Sequence, residues 1–176
     1  MAVGAPALGG APALTATQLS ALDLTSYTRP AVPPGFSLRM PDGQLISLTE
    51  LRGTVVIVNF WSTWCRECLA EMAGLETLHR RLGPRGLVVI GIGAREGAAA
   101  VQRYAREQAL TFPMVVDPDG AVTARYGVIG LPSTFVIDRD GRAVALAIGA
   151  REWGSPAAFG IVETLLDDAA VRGTGP

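Results

Sequence analysis

One stretch constrains the fold more than any other: the apolar run Val55-Val56-Ile57-Val58-Asn59-Phe60 leads into Trp61-Ser62-Thr63-Trp64-Cys65-Arg66-Glu67-Cys68, and a helical pattern follows at once. The run is short and rich in β-branched residues, as in a strand buried on both faces. Leu69, Met72, Leu75, Leu78 and Leu82 then recur at spacings of three and four, which is one face of a helix. Both cysteines of the chain therefore stand where a buried strand passes into a helix. Cys65 falls in the first helical turn, where unpaired backbone N–H groups and the positive end of the macrodipole stabilise a thiolate. Two intervening residues let Cys68 fold back within bonding distance. The chemistry this supports is exchange: Cys65 attacks a partner's disulfide, and Cys68 resolves the mixed disulfide.

Blander uses of the pair compete with that one. Half a zinc site needs two further ligands, and the rest of the chain offers no cysteine and only His79. A passive structural disulfide closes too small a loop here to restrain the unfolded chain much. Redox use is what the motif and its strand-to-helix setting favour.

The run from Trp61 to Glu71 resembles the active-site segment of the thioredoxin superfamily, and within it the TlpA/ResA-like thiol-disulfide oxidoreductases, whose pattern is W-x-x-W-C-x-P-C-x-x-E. The likeness covers roughly Phe36 to Leu166 and departs at Glu67, where that family usually has proline. It implies an α/β thioredoxin-like fold, a central mixed sheet flanked by helices. It also implies catalysis by Cys65 and Cys68 with no cofactor, acting on protein disulfides and recharged by a thiol-donating redox partner.

A net charge of −1 gives no electrostatic case for nucleic acid or an anionic membrane surface. With 49% hydrophobic residues and strong periodicity, the 176 residues suffice for one domain with a sizeable core, and a monomer is expected. Two cysteines in one CxxC do not fix the compartment, since cytosolic thioredoxins carry the same pair. The resemblance implies a periplasmic or extracytoplasmic protein, with cytoplasmic residence as the alternative. Met1 to Pro34 lacks a basic leader, and Pro6, Gly9, Gly10 and Pro12 interrupt it, so neither a signal peptide nor a membrane span is expected in this chain. An export or anchor segment would lie outside the sequence given.

The chain divides into an N-terminal segment and linker at 1–34, a thioredoxin-like domain at 35–172 and a tail at 173–176. Met1 to Ala16 is rich in Ala, Gly and Pro and is expected to be poorly ordered. Thr17 to Leu24 suits a short helical turn, and Arg29 to Gly35 an extended linker. Phe36 to Arg39 and Gln44 to Leu48 flank Pro41-Asp42-Gly43, a hairpin added ahead of the core, as in TlpA-like and peroxiredoxin-like members of the superfamily. After the active-site helix stops at Gly83-Pro84, Leu87 to Ile92 forms a parallel strand. A helix at 98–109, with Val101, Tyr104, Ala105 and Gln108 on one side, leads to the strand Met114 to Val116. Val122 to Tyr126 makes a short helix. Strands at 134–137 and 143–148, joined through Asp138-Arg139-Asp140-Gly141, form a hairpin at the far edge of the sheet. Ser155 caps a last helix with Pro156 at its first position.

Around the dithiol, Pro132 matches the superfamily's cis-proline. The resemblance implies that Leu131, turned outward, offers its backbone to an extended substrate beside Cys65. Glu71, three residues past Cys68, matches the motif's acidic residue, which can take the proton of Cys68; otherwise it is a surface glutamate supporting the helix. Arg66 favours the Cys65 thiolate and Glu67 disfavours it, so the pair tunes the redox behaviour in opposing senses. Trp61 and Trp64 form an apolar rim for partners, unless Trp61 packs in the core. His79, near the helix end, complements the dipole.

Two weaker patterns have simpler readings. Gly91-Ile92-Gly93-Ala94-Arg95-Glu96-Gly97 resembles a dinucleotide fingerprint with its third glycine one place late. Asp138-x-Asp140-Gly141 resembles the start of a calcium loop but reads as a turn. Two rival activities remain. A peroxiredoxin-like peroxidase follows the P-x-x-x-T-x-x-C pattern, which fails here at Val58 and Ser62. A non-catalytic module would hold Cu(I) between the two thiolates. The resemblance favours a disulfide reductase, acting on apocytochromes in some relatives.

Overall fold

A computed structural model of the protein describes residues 14–172. The early segment at 1–13 and the tail at 173–176 lie outside the described residues. The described chain opens on a short helix, α1 (Ala16–Ala21). Among the described residues eight strands form one mixed sheet in the order β1 (Thr25–Ala31), β8 (Ala143–Ile148), β7 (Ser133–Ile137), β4 (Val55–Trp61), β5 (Leu87–Ala94), β6 (Met114–Asp117), β2 (Ser37–Arg39), β3 (Leu45–Ser47). Its centre is β4 (Val55–Trp61), every residue of which is buried. Parallel pairing joins β4 to β5 (Leu87–Ala94), and β5 to β6 (Met114–Asp117). On the other side β4 runs antiparallel to β7 (Ser133–Ile137), and β7 to β8 (Ala143–Ile148).

Alternation along β4 sorts the core into two layers. Val55, Ile57 and Trp61 face α2 (Arg66–Leu82) and α5 (Pro156–Arg172), whose Met72, Leu75, Leu78, Ile161, Val162 and Leu165 complete that layer. Val56, Val58 and Phe60 face the other way, toward α4 (Ala121–Arg125) and the N-terminal hairpin. There Phe36, Phe60, Tyr126 and Phe135 meet in tilted and edge-on contacts, with the Phe60 and Tyr126 ring centroids 5.1 Å apart. Asn59 is the polar exception on the α2 side of β4, and it is fully buried.

The expected hairpin is β2 (Ser37–Arg39) with β3 (Leu45–Ser47), closed by Gly43 N–H donating to Met40 O at 2.9 Å. It extends the sheet beyond β6, to which β2 pairs antiparallel. Ser155 Oγ accepts from Ala158 N–H at the start of α5, as a cap should. The Asp138–Gly141 segment is a hairpin turn, with Gly141 N–H donating to Asp138 O.

Three expectations need correction. Arg29 to Ala31 is not free linker: β1 (Thr25–Ala31) pairs antiparallel with β8, and its register shifts between Ser26 and Ala31. An edge strand with an irregularity accommodates Pro30, which has no N–H to give. It follows that the β7–β8 hairpin is not the sheet's edge, because β1 covers it. In α3 (Ala98–Glu107) Val101 is buried and Tyr104 and Ala105 half-buried, but Gln108 is the exposed C-cap.

Close packing explains several glycines. A Cβ on Gly91 would meet Met114 Sδ at 2.5 Å and one on Gly93 would meet Val101 Cγ2 at 2.8 Å, so both belong to strand β5 and its packing rather than to a phosphate loop. Gly74 of α2 lies against the loop after β8, where a Cβ would sit 2.7 Å from Gly154 N. Gly74→Ala must push that loop away from α2, and the expected cost is about 1–3 kcal/mol in urea unfolding.

Candidate active site

Strand β4 delivers the chain to the N-terminus of α2, and Cys65 is the N-cap residue there, one position before the helix proper. Cys65 and Cys68 are joined in a disulfide with their Cα atoms 5.3 Å apart. Cys68 N–H also points at Cys65 Sγ, 3.2 Å away. Cys65 is 7% exposed and Cys68 is fully buried, so of the two cysteines only the first has any opening to solvent. Arg66 and Glu67 project into solvent from the first turn, where screening weakens their opposing fields.

The arm before Cys65 is tied to the loop after β5. Ser62 Oγ donates to Ala94 O at 2.8 Å, and Glu96 Oε1 accepts from Thr63 N–H at 2.6 Å and Thr63 Oγ1 at 2.7 Å. Glu96 went unnoticed in the sequence as anything but part of a glycine pattern. The available signal was an acidic residue just past a strand parallel to β4.

Glu71 is not a surface glutamate. It is 3% exposed, and three donors close around it: Asn59 Nδ2 to Oε1 at 2.6 Å, and Arg151 N–H and Trp153 Nε1 to Oε2, both at 3.0 Å. Burial pushes its carboxyl up to about 7, against the pull of these hydrogen bonds and of the Arg151 guanidinium, which lower it. A cleft of about 400 Å³, lined by Glu71, Ala70, Gly74, Arg151, Glu152 and Trp153 among others, opens beside it. Asn59, Arg151 and Trp153 were missed in the sequence. Only Asn59 left a signal there, as a lone amide inside an apolar strand.

The Leu131–Pro132 peptide bond is cis. Pairing of Phe60 with Ser133 sets Pro132 at the end of the sheet where β4 enters the dithiol arm. Among the described residues the Leu131 N–H and C=O have no hydrogen-bond partner, whereas Pro132 O accepts from Gly149 N–H at 2.8 Å. Of the two tryptophans expected on the rim, Trp64 is 76% exposed, but Trp61 is wholly buried, its ring 5.0 Å from that of Tyr104. Trp61 follows the inward alternation of Val55 and Ile57 and is core. Ile129, in the loop before Pro132, is 89% exposed. His79 packs edge-on against Phe112 near the end of α2. Among the described residues no three His, Cys, Asp or Glu side chains gather as metal ligands, and no helix is long and apolar enough to cross a membrane.

Comparison with known proteins agrees with this architecture. The chain is 35% identical over 111 residues to the thiol-disulfide oxidoreductase ResA of Bacillus thuringiensis subsp. konkukian (strain 97-27), covering 63% of this chain and 64% of that protein. Identity to ResA of Bacillus subtilis (strain 168) is 32% over 116 residues, 66% of this chain and 65% of the relative. The chain thus spans somewhat less than two thirds of the length of these relatives. A crystal structure of a thiol:disulfide interchange protein of the thioredoxin family from Chlorobium tepidum TLS superposes with a TM-score of 0.70 at 29% identity, covering 80% of this chain and 99% of that one. Residues 31–145 match the AhpC/TSA family, and with the thioredoxin-like sheet and the dithiol at the head of α2 this places the chain in that family.

Proposed function

We propose that the protein is a thiol-disulfide oxidoreductase of the TlpA/ResA-like kind that reduces disulfides in extracytoplasmic partner proteins. The observation that carries this reading is the placement of Cys65, the one cysteine with an opening to solvent, at a helix N-cap, with the fully buried Cys68 and the buried Glu71 carboxyl behind it on the same helix.

The cycle begins with the reduced dithiol. The Cys65 thiolate, favoured by the N-terminus of α2, attacks one sulfur of a partner's disulfide, and the other partner sulfur leaves as a thiolate that takes up a proton. Cys65 and the partner are now joined. Glu71, as the carboxylate, takes the proton of Cys68, whose thiolate attacks the Cys65 sulfur and expels the partner's second thiolate. Two electrons have passed to the partner and Cys65–Cys68 is a disulfide. A thiol-donating protein restores the dithiol by the same exchanges in reverse. The free Leu131 N–H and C=O next to Pro132 suit pairing with an extended segment of the substrate. Trp64 and Ile129 offer it apolar contact.

Placement outside the cytoplasm rests on the likeness to the TlpA/ResA group, as does the reducing direction. The N-terminal hairpin of β2 and β3, which resembles that of peroxiredoxin-like members of the superfamily, also raises thiol peroxidase chemistry. Val58 and Ser62 break the peroxidase pattern, and the Ser62 hydroxyl is buried and committed to Ala94 O. It is therefore not free to meet a bound peroxide. In the test, the reduced protein is expected to turn over insulin disulfides and to consume peroxide no faster than free cysteine does. A reduction potential near that of a strong protein oxidant, about −120 mV, would reverse the proposed direction.

A further inference from the structure

The buried amide of Asn59 is the feature the cycle leaves unused. Both of its N–H hydrogens are engaged, one on Glu71 Oε1 at 2.6 Å and the other on Thr134 Oγ1 at 2.9 Å, while its Oδ1 is buried with no partner. An aliphatic residue would continue the packing of Val55 and Ile57 without leaving an orphaned acceptor, which costs about 1–3 kcal/mol.

The surroundings of Glu71 give the amide a use. Every group hydrogen-bonded to the carboxyl is a donor: Asn59 Nδ2, Arg151 N–H and Trp153 Nε1. That arrangement suits the ionised carboxylate, but a protonated carboxyl also needs an acceptor. Among those three groups Asn59 alone can supply one without moving the backbone, by a half-turn of its amide. Oδ1 then stands where Nδ2 stood, accepting from the Glu71 hydroxyl and from Thr134 Oγ1. Nδ2 takes the former place of Oδ1, which has no partner among the described residues, so the turned amide is held only while the proton is on Glu71. The hydrogen bond to Thr134 reverses direction as well. Thr134 pairs with Asn59 across β4 and β7 and lies two residues past Pro132.

We infer that Asn59 is a positioning residue whose amide turns with the proton on Glu71 and passes that state to the Pro132 segment through Thr134. This rests on Glu71 serving as the proton acceptor for Cys68. The charged or titratable groups facing Glu71 are few. The Arg151 guanidinium is held by the Asp23 carbonyl and carboxylate. Glu152 shares the cleft, and Cys68, once reduced, lies one turn earlier on α2. Each acts on Glu71 through its field, whereas Asn59 acts through the direction of a hydrogen bond.

Asn59 is the sole asparagine in the chain, so labelling its side-chain nitrogen yields a single amide signal. In the oxidised wild-type protein that signal is expected to shift with pH at the same midpoint as the Glu71 carboxyl, followed by carbon NMR, and to become flat in Glu71→Gln. In Asn59→Leu the carboxyl loses a donor to its ionised form, and its midpoint is expected to rise by about one pH unit. A wild-type amide signal that stays flat while Glu71 titrates overturns the inference and leaves the role of Glu71 in exchange standing. If Glu71→Gln leaves the pH profile of disulfide exchange unchanged, the underlying reading of Glu71 fails, whatever the amide does.

Discussion

Cys65→Ser is expected to lower the rate of disulfide exchange by about a thousandfold or more, the scale on which enzymes respond to loss of their nucleophile. Cys68→Ser is expected to stop at a different point. It should attack a partner's disulfide once and remain joined to it, because the group that expels the partner is missing. The asymmetry follows from access, since Cys65 reaches solvent and Cys68 does not. Serine is a better N-cap than cysteine, so α2 keeps its start in Cys65→Ser and a folding defect does not account for the loss. Mass spectrometry after mixing each variant with a disulfide-bonded peptide separates the cases: one adduct on Cys68→Ser and none on Cys65→Ser. An adduct on Cys65→Ser instead would exchange the roles of the two sulfurs.

How much of this was legible in the chain depends on whether the interacting residues are near one another in sequence. The dithiol, its strand and its helix are local, and periodicity with two cysteines in one motif reveals them. Turns such as Pro41-Asp42-Gly43 and Asp138 to Gly141 announce the hairpins through residue chemistry alone. Strand β1 is different. Thr25, Tyr27 and Thr28 favour a strand only weakly, Pro30 argues against one, and the partner strand β8 begins at Ala143. The pairing is a tertiary choice that local propensity does not contain. Trp61 was readable: the alternation that buries Val55 and Ile57 buries it as well, which settles the choice between rim and core that the sequence left open. Glu71 could be placed behind Cys68 by its spacing. Its burial could not be foreseen, because its partners come from β4 and from the loop after β8, which comes close enough to α2 to reach it where Gly74 meets Gly154.

Glu71→Gln is expected to change stability and activity in opposite senses at neutral pH. In the folded, oxidised protein burial holds the Glu71 carboxyl near 7, raised from about 4.5. Between those values the folded chain keeps a proton that the unfolded chain has released. Stability from this group is therefore complete below about pH 4.5, falls as pH rises toward 7, and is gone above it. The span corresponds to about 3 kcal/mol. Urea unfolding of the wild type should show that loss between acid and neutral pH, and Glu71→Gln, which has no proton to lose at this position, should show markedly less of it. Asp138, whose carboxyl is also raised by burial, acts in the same direction but is present in both proteins, so the difference between them isolates Glu71. In disulfide exchange the variant lacks the base for Cys68, and the step that releases the partner should slow by about a hundredfold above pH 7, with the limb of the profile near pH 7 absent. A variant that merely folded poorly would be both less stable and less active. A gain in one with a loss in the other marks a carboxylate kept in an unfavourable place because exchange requires it there.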